Sequence, residues 1–399
     1  VLGMADDPED QMQMPIEIDF LRDGHVAVCG SPMSGKSTAV QTLMYVLIDR
    51  YTPQQIHLYG IDFNGKMMSA FEDAPQVGEI LYEEEKDKMA KFFQMMAQIV
   101  KERKAKLTGV NYRQYLNKHG FGMPAIIIFI DQYASWKERT EGMYEEAVVR
   151  LAKEGMSLGI YLVVTGMGIS VKDIPQRLGE NIRKVLCMGL MDRYAYGTLL
   201  HQFDFAILPE EGIKGRGMTM VERRPLEYQT ALVKKTENDY ERLEYIKRYC
   251  KEKADAWQGT CARCVPQIPD QPQWQQFVHL EEAAQMIKEG RYLPIGYRTE
   301  DASIYGIDLK DTYCYLVCGA AESGKTNFMK AALAGADRME AKLSVIASHE
   351  AKLARYAQKE GIRVVSAEEE LFGYLKELIP EFKRRNEWRN RCREEGYGD

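Results

Sequence analysis

Two short stretches of this sequence have residue types and spacing suited to holding a chain of phosphates. CGSPMSGKST covers residues 29–38 and CGAAESGKTN covers residues 318–327, and both contain the pattern G-x-x-x-x-G-K-[ST]. Glycines let successive backbone N–H groups point at phosphate oxygens, a lysine can reach the β- and γ-phosphates, and a hydroxyl can bind Mg²⁺. The pattern therefore predicts two P-loops with ATP and Mg²⁺ as cofactors.

The predicted phosphate-binding residues follow directly from the two matches. In the first they are Gly30, Ser31, Pro32, Met33, Ser34, Gly35, Lys36, Ser37 and Thr38, and in the second they are Gly319, Ala320, Ala321, Glu322, Ser323, Gly324, Lys325 and Thr326. The two lysines, Lys36 and Lys325, are predicted to be catalytic, and the hydroxyls of Ser37 and Thr326 are predicted metal ligands. A glycine-rich turn that matches by chance is the alternative, and two matches in the same setting argue against it.

An acidic residue completes the first site. Asp131 ends the apolar run IIIFI, where a P-loop ATPase places the carboxylate that holds Mg²⁺ through its water shell, although a turn residue at a strand end would look the same. Gln132 follows, where hydrolytic ATPases of this kind usually carry a second carboxylate that deprotonates the attacking water. An amide can position a water but cannot accept its proton. We expect the first site to bind ATP well and hydrolyse it slowly, unless a carboxylate from elsewhere substitutes.

Strands and helices must position these residues. Each P-loop lies between an apolar strand (HVAVCG, CYLVCG) and a helix, and the strands IHLYGID, AIIIFID and IYLVVTG alternate with helices predicted over residues 87–107 and 143–159. Such alternation predicts an α/β fold with a parallel sheet and helices on both faces. VLCMG, IKGRGMTMV and EYQTALV are predicted to close the first module, and a long helix over residues 368–393 resembles the one at 87–107.

Two further assignments stay open on the sequence alone. Thr165, at the end of IYLVVTG, is either a sensor of the γ-phosphate or an ordinary strand terminus. The basic pair Arg183 and Lys184, placed before VLCMG, is either a solvated surface pair, which we favour, or an arginine finger for a neighbouring subunit.

A proline-rich segment and the spacing of the two P-loops predict the domain organisation. Residues 1–258 form a complete module, residues 259–280 a linker stiffened by Pro266, Pro269 and Pro272, and residues 281–399 a second module. The repeat spacing puts the second module's Mg²⁺-holding acid beyond Asp399. We therefore expect that module to be truncated before its acidic strand, with a C-terminal end that is poorly packed or held against the first module.

The eight cysteines do not form a disulfide framework, so reduced thiols are expected. Cys29, Cys187 and Cys318 lie in strand-like runs where a small buried thiol fits. Cys261 and Cys264 form a C-x-x-C that could begin a zinc site, but a matching second pair is missing.

Charge and hydropathy restrict the function classes. Lys+Arg number 53 against 59 Asp+Glu, a net charge of −6 that gives no support to a surface coated for nucleic acid. The basic run KRRNEWRNRCR invites that interpretation, but a solvated helix face or an intersubunit contact is favoured. The longest apolar run, residues 125–130, is too short to cross a bilayer, and the N-terminus lacks a signal-peptide pattern, so a soluble piece is expected.

The order of the motifs resembles the FtsK/SpoIIIE-type RecA-like ATPase domain: the P-loop at Gly30, then IIIFIDQ, VVTG, KGRGMTMV and EYQTALV. The tandem arrangement, the lead-in VLGMADDPEDQMQ and the linker WQGTCARCVPQIPDQP look like the C-terminal ATPase domains of the EssC/EccC family, the motors of type VII secretion systems. The resemblance implies tandem RecA-like P-loop domains with mainly parallel central sheets and flanking helices. It also implies that the linker packs on an ATPase face.

The resemblance further implies a place in the cell and a set of partners. It implies the cytosolic portion of a membrane-anchored protein at the cytoplasmic face of the membrane, joined to the secretion complex through an absent N-terminal part. The family assembles as a hexamer and exports WXG-type helical hairpins. Its nucleotide contacts carry over to residues 30–38, Asp131 and residues 319–326, but its catalytic carboxylate does not, because Gln132 occupies that place.

Three function classes remain after the sequence. The first is a secretion motor in which the first module is a binding or regulatory site. The second is a DNA translocase, since FtsK/SpoIIIE relatives move duplex DNA, and the acidic balance stands against it. The third is a nonhydrolytic scaffold that uses ATP as an assembly or cargo-binding switch, and Gln132 is the feature that supports it.

Overall fold

A computed structural model of the chain describes residues 1–205, 208–269, 271–299, 301–312, 314–346, 362–365 and 367–394. The chain divides into two compact units, Val1–Pro266 and Gln267–Asp399. The segment predicted as a linker, residues 259–280, contributes to both units. Position 270 of that segment and positions 395–399 of the predicted second module lie outside the described residues.

The first unit is built on ten strands. In chain order they are β1 (Gly3–Asp7), β2 (Met12–Ile16), β3 (His25–Gly30), β4 (Ile56–Asp62), β5 (Val77–Leu81), β6 (Ala125–Asp131), β7 (Ile160–Gly166), β8 (Ile182–Met188), β9 (Arg216–Val221) and β10 (Arg224–Thr230). They form one sheet in the order β2-β1-β10-β9-β8-β3-β7-β6-β4-β5. From β8 to β5 all neighbours are parallel. From β8 to β2 they are antiparallel.

Helices flank this sheet, as the sequence predicts. They are α1 (Phe20–Asp23), α2 (Lys36–Arg50), α3 (Lys86–Lys106), α4 (Tyr112–His119), α5 (Tyr133–Arg139), α6 (Glu145–Glu154), α7 (Gln176–Gly179), α8 (Arg193–Leu200) and α9 (Asp239–Ala256), with 3₁₀ turns at Ser69–Phe71 and Gly155–Leu158. The α/β fold with a mainly parallel central sheet and flanking helices is confirmed.

The central strands are buried on both faces. β6 and β7 are rich in β-branched residues, which suits a pleated strand covered on each side. Ile126 and Ile128 of β6 join one hydrophobic core, while Ile127 and Phe129 join the other. Alternate side chains of the central strands therefore pack into the cores on the two faces of the sheet. Cys29 and Cys187, on β3 and β8, are buried as predicted.

A buried histidine ties β3 to its neighbours. His25 has no exposed surface; its Nε2 lies 2.8 Å from the Ala152 carbonyl oxygen, and its Nδ1 lies 2.9 Å from the Leu162 N–H. Because the Leu162 amide can only donate, Nδ1 accepts and Nε2 donates, which requires the neutral ring. Burial lowers the pKa of His25 to about 4.

The end of the first unit covers its outermost parallel strand. The N–H of Ala262 donates to the Pro75 carbonyl at 2.8 Å, and the Tyr59 hydroxyl donates to the Arg263 carbonyl at 2.6 Å. A Cβ at Gly78 of β5 would lie 2.5 Å from the Arg263 oxygen, so glycine permits this close approach. The expectation that the linker packs on an ATPase face holds for this part of it.

The described part of the second unit has four helices and four strands. They are α10 (Trp274–Phe277), α11 (Glu281–Glu289), β11 (Tyr292–Tyr297), β12 (Ile304–Asp308), α12 (Lys325–Arg338), β13 (Leu343–Ile346), β14 (Ile362–Val365) and α13 (Glu368–Glu394). β11 and β12 form an antiparallel pair, and β13 and β14 a parallel one. Apolar side chains of α13 are exposed, among them Phe372, Ile379 and Phe382, which agrees with a poorly packed C-terminal end.

Three expectations about strands need correction. CYLVCG is not a strand: residues 314–320 have no regular structure, and Leu316 is 83% exposed. A strand needs a neighbour for its backbone hydrogen bonds, and none of the described strands pairs with this segment. Cys318 is consequently exposed rather than buried. Arg183 and Lys184 lie inside β8 instead of preceding it.

The described residues include no helix with both the length and the apolar character needed to cross a membrane.

Candidate nucleotide-binding site

The predicted residues of the first module meet at one edge of the sheet. Parallel strands have their carboxyl ends on the same side, so Gly30 at the end of β3 and Asp131 at the end of β6 lie at the same edge of the sheet. A Cβ at Gly30 would lie 2.1 Å from the Met188 carbonyl oxygen, so no larger residue fits where the P-loop begins.

The first P-loop folds back over its own lysine. Met33 and Gly35 have positive φ angles of 63° and 101°, which turn the chain tightly into α2. Lys36 Nζ donates to the carbonyls of Gly30 at 2.7 Å and Ser31 at 2.8 Å. Partial burial lowers the pKa of Lys36, while nearby Asp131 acts in the opposite direction. The ammonium is thereby held at the centre of the loop, where phosphate oxygens can replace the carbonyls.

One polar atom of this loop has no partner within the described structure. Ser34 Oγ is buried without a hydrogen bond among the described residues. A buried hydroxyl without a partner costs free energy, and such atoms are found where a ligand supplies the missing bond. The loop therefore has unused polar capacity that matches phosphate oxygens.

Asp131 is the centre of a hydroxyl network. Ser37 Oγ donates to its Oδ2 at 3.0 Å and Thr165 Oγ1 donates to its Oδ1 at 2.5 Å. The carboxylate is 1% exposed, and burial raises its pKa, although both hydroxyls act to lower it. Thr165 also accepts from the Gln132 N–H at 2.7 Å, so it joins the two residues that end β6. Thr165 is therefore more than a strand terminus, because it holds the acidic residue in place.

Gln132 has an unusual backbone conformation. Its φ of 52° and ψ of 66° are left-handed, a conformation that costs free energy for a residue with a Cβ, and it precedes α5. Gln132 lines the pocket that is also lined by Lys36 and Ser37. The structure thus brings Gln132 to the same pocket as the P-loop lysine.

The pocket has a volume of about 980 Å³, large enough for a nucleotide. It is also lined by residues that the sequence did not single out: Glu138, Lys172, Asp173, Lys214 and Asp239. Asp173 accepts from the N–H groups of Met167 and of Gly168, the latter at 2.8 Å, and burial raises its pKa. Its position a few residues after β7, at the carboxyl edge of the sheet, is the signal that would have found it.

The segment KGRG supports the P-loop from outside. The Gly215 N–H donates to the Ser34 carbonyl at 2.7 Å, and Thr230 Oγ1 donates to the Gly215 carbonyl at 3.0 Å. Gly215 has a φ of 77°, and a Cβ there would lie 2.2 Å from Thr230 Oγ1. Gly215, just before β9, is therefore hydrogen-bonded both to the P-loop and to the end of β10. We call this contact the clamp on the P-loop.

The second P-loop repeats this geometry without an acidic partner. Glu322 and Gly324 have φ angles of 62° and 91°, and Lys325 Nζ donates to the carbonyls of Gly319 at 2.7 Å and Ala320 at 2.5 Å. No carboxylate in the described ranges hydrogen-bonds to Thr326. Among the described residues, the structure brings together the loop of this site and no carboxylate that would complete it.

Other residues predicted from the sequence lie away from the pocket. Lys184 Nζ donates to the Met220 carbonyl at 2.7 Å, and Arg183 is exposed. In the basic run on α13, Arg384 and Arg385 both bond to Glu381 at 2.8 Å. Within the described part of the chain, no group of three or more His, Cys, Asp or Glu side chains is arranged to hold a metal ion.

The oxygen atoms around Asp131 fit Mg²⁺. Carboxylate and hydroxyl oxygens are the ligands this ion prefers, and it commonly takes only one or two from protein. Ser37 and Asp131, already 3.0 Å apart, are the residues that would hold it. When bound, Mg²⁺ would neutralise negative charge on the phosphates of the nucleotide.

A family model and several curated proteins match this chain. Residues 3–136 match the FtsK/SpoIIIE family. EssC of Staphylococcus aureus strain MRSA252, a type VII secretion system protein, is 25% identical over 82% of the chain and 22% of its own length. EccC of Thermomonospora curvata, an ESX secretion system protein, is 28% identical over 84% of the chain and 25% of its own length. The chain thus spans about a quarter of the length of these relatives.

Solved structures agree on the fold. ATPases 2 and 3 of EssC from Geobacillus thermodenitrificans superpose with a TM-score of 0.81 at 23% identity, over 97% of this chain and 73% of that one. ATPases 2 and 3 of Thermomonospora curvata EccC, solved with a signal sequence peptide, give 0.64 at 24% identity, over 95% and 68%. At these identities the likeness shows the fold alone, which is the P-loop RecA-like one.

An FtsK/SpoIIIE domain of P-loop ATPase type implies a nucleotide as ligand. Residues 3–136 match the FtsK/SpoIIIE family, and over most of its length the chain is similar to the EssC and EccC proteins of type VII and ESX secretion systems.

Proposed function

We propose that the first unit binds ATP with Mg²⁺ at residues 30–38 and Asp131 and hydrolyses it slowly, and that it does so as part of a type VII secretion ATPase. The observation that carries the nucleotide site is the convergence of Lys36, Ser37 and Asp131 beside one open pocket. The relatives' names support the secretion role.

The residues of the site have separable tasks in this proposal. The loop amides and Lys36 bind the phosphates, and the hydroxyls of Ser37 and Thr165 keep Asp131 oriented toward them. Gln132 can orient a water at the γ-phosphate but cannot accept its proton, so the chemical step lacks its general base. Because Gln132 replaces the usual carboxylate, this site is proposed to bind ATP stably and to hydrolyse it slowly.

The similarity to type VII and ESX secretion proteins supports a proposal about cellular partners. We propose that the chain works at the cytoplasmic face of the membrane, as part of a longer protein joined to a membrane secretion complex and assembled with other copies of itself into a hexamer. WXG-type proteins are the proposed cargo, and nucleic acid is not a proposed partner. In the second unit, Lys325 and Thr326 are proposed to bind phosphate and metal through the matching loop.

The test is nucleotide binding and hydrolysis by the whole chain and by its Lys36→Ala and Lys325→Ala variants. If ATP binding falls only with Lys36→Ala and little phosphate is released, the first unit is a stable ATP-holding site. If turnover is rapid and is lost with either lysine, the role given to Gln132 is wrong.

A nonhydrolytic switch is the second candidate function, and Gln132 favours it. In that case ATP would be bound and not consumed, and its binding would change the affinity for other copies of the chain or for cargo. Sedimentation with ATP and with a nonhydrolysable analogue separates the two functions, because a switch responds equally to both nucleotides.

A further inference from the structure

The pocket beside the first P-loop has a second end, away from Gln132. Thr38 on α2, Lys214 before β9 and Asp239 at the start of α9 line it. Loop amides cradle the α- and β-phosphates, and Lys36 reaches toward the γ-phosphate. A triphosphate bound with its γ-phosphate beside Gln132 therefore extends its sugar and base past Thr38, toward Asp239.

Two helices running side by side bring Asp239 to this end. The rings of Tyr45 on α2 and Tyr249 on α9 lie 4.6 Å apart, the Tyr249 hydroxyl donates to Asp49 at 2.5 Å, and Lys253 Nζ lies 3.7 Å from Asp49. A residue further along α2 therefore contacts a residue further along α9, so the two helices are parallel. Their first residues, Lys36 and Asp239, consequently lie at the same end of the pair.

Hydrogen bonds fix this arrangement to the P-loop. Thr42 Oγ1 of α2 donates to the Ala231 carbonyl at 2.8 Å, in the chain leading to α9. Gln229 Nε2 donates to the Lys214 carbonyl at 3.0 Å, next to the residue that clamps the P-loop. These bonds tie the segments that carry Lys214 and Asp239 to α2 and to the strand next to the P-loop clamp.

The Asp239 carboxylate has acceptor capacity to spare. Arg242 Nη2 donates to its Oδ1 at 2.7 Å, and this is the one hydrogen bond to that carboxylate among the described residues. The side chain is 73% exposed at the pocket. A carboxylate accepts hydrogen bonds from hydroxyl groups, and at this end of a nucleotide the hydroxyls are the ribose 2′-OH and 3′-OH.

We propose that Asp239 accepts a hydrogen bond from the ribose hydroxyls of the nucleotide in the first unit and makes the site selective for ribonucleotides. This assignment rests on the proposed nucleotide site and adds its sugar specificity. Lys214, on the same wall, lies too near the P-loop clamp to be altered without disturbing it, so Asp239 is the residue to test.

The test compares the affinity for ATP with that for 2′,3′-dideoxy-ATP by titration calorimetry. All proteins carry Lys325→Ala, so that binding reports on the first unit. The parent should bind ATP about tenfold more tightly than the dideoxy nucleotide, as expected for one charge-assisted hydrogen bond. Asp239→Asn keeps an acceptor for Arg242 but loses the carboxylate, so the ratio should fall toward one, mainly through weaker ATP binding.

Asp255→Asn is the matched control, because Asp255 is an exposed acid on the same helix and does not line the pocket. It should leave the ratio unchanged. Equal affinity of the parent for both nucleotides, or an Asp239→Asn protein that keeps the tenfold ratio, overturns the assignment while leaving the nucleotide site intact. A parent that binds neither nucleotide overturns the proposed function itself, and the sugar assignment with it.

Discussion

At the scale of single residues, the catalytic capacity of the first site depends on the side chain after Asp131. We expect Gln132→Glu to raise the rate of ATP hydrolysis by about 10²-fold, because it restores a group that can accept the proton of the attacking water. The backbone at this position is held by the bond from its N–H to Thr165, which the substitution keeps. Phosphate release under saturating ATP measures the effect.

The double variant Lys36→Ala, Gln132→Glu is the control for this prediction and should be inactive. If the Gln132→Glu protein binds ATP and hydrolyses it at the parental rate, the missing carboxylate does not limit turnover. Asp173 would then be the next residue to change, because it lies in the same pocket and its pKa is raised by burial.

At the scale of secondary structure, His25 makes the packing of β3 against β7 and α6 dependent on pH. Its pKa is lowered to about 4 from an ordinary 6.5, so the folded chain binds fewer protons than the unfolded chain between these values. The contribution of neutral His25 is complete above pH 6.5 and is lost as the pH falls toward 4. The loss amounts to about 3 kcal/mol at most.

Urea midpoints between pH 7 and pH 4.5 measure this dependence. His25→Gln should be less stable at pH 7 and should lose less stability on acidification. His57, whose pKa is also lowered to about 4, contributes equally to both proteins and cancels in the comparison. Parallel curves for the parent and the variant would contradict the role given to His25.

The loop before β9 offers a matched pair of glycines. Gly215→Ala should weaken ATP binding severalfold and cost at least about 2 kcal/mol more stability than Gly212→Ala. Both have positive φ angles, 77° and 79°, but only at Gly215 would a Cβ meet another atom closely. Thermal unfolding and nucleotide titration of both variants test this, and equal effects would show that the clamp on Ser34 does not matter.

The sequence predicted the surroundings of Lys36 and Asp131 far better than those of Asp239. β4, β6 and β7 were predicted to the residue, because each is an apolar run that stops at an aspartate or a glycine. Asp239 carries no local signal, since its place depends on contacts such as Thr42 with Ala231 that join distant parts of the chain. The prediction of a strand at CYLVCG was wrong because an apolar run shows only a propensity for extended structure. A strand also needs a neighbouring strand to pair with its backbone hydrogen-bonding groups.

At the scale of the whole molecule, the two units should differ in stability. The first has extensive cores on both faces of its sheet, whereas the described clusters of the second are small: Phe277, Val278, Ala283 and Ile304 in one and Leu333, Val345 and Ile362 in the other. Calorimetry should show two transitions, the lower from the second unit. ATP with Mg²⁺ at 100 times its dissociation constant should raise the upper one by about 5 °C.

Lys36→Ala should remove this shift and leave the lower transition unchanged. A single transition would contradict the expected difference in stability between the units. A shift of the lower transition that survives Lys36→Ala would mean that the second unit is the main nucleotide site.

The segment that ends the first unit has one more consequence. β5 is the last strand of the sheet, and an open strand edge offers unpaired backbone groups to any other extended chain. The segment around Ala262 and Arg263 packs against Tyr59 and Gly78 without pairing with β5, whereas the opposite edge strand, β2, contains Pro15, which has no N–H to donate. The β2 border is thus the poorer template for edge-to-edge aggregation, and shortening the chain before residue 260 would remove the segment that packs beside β5.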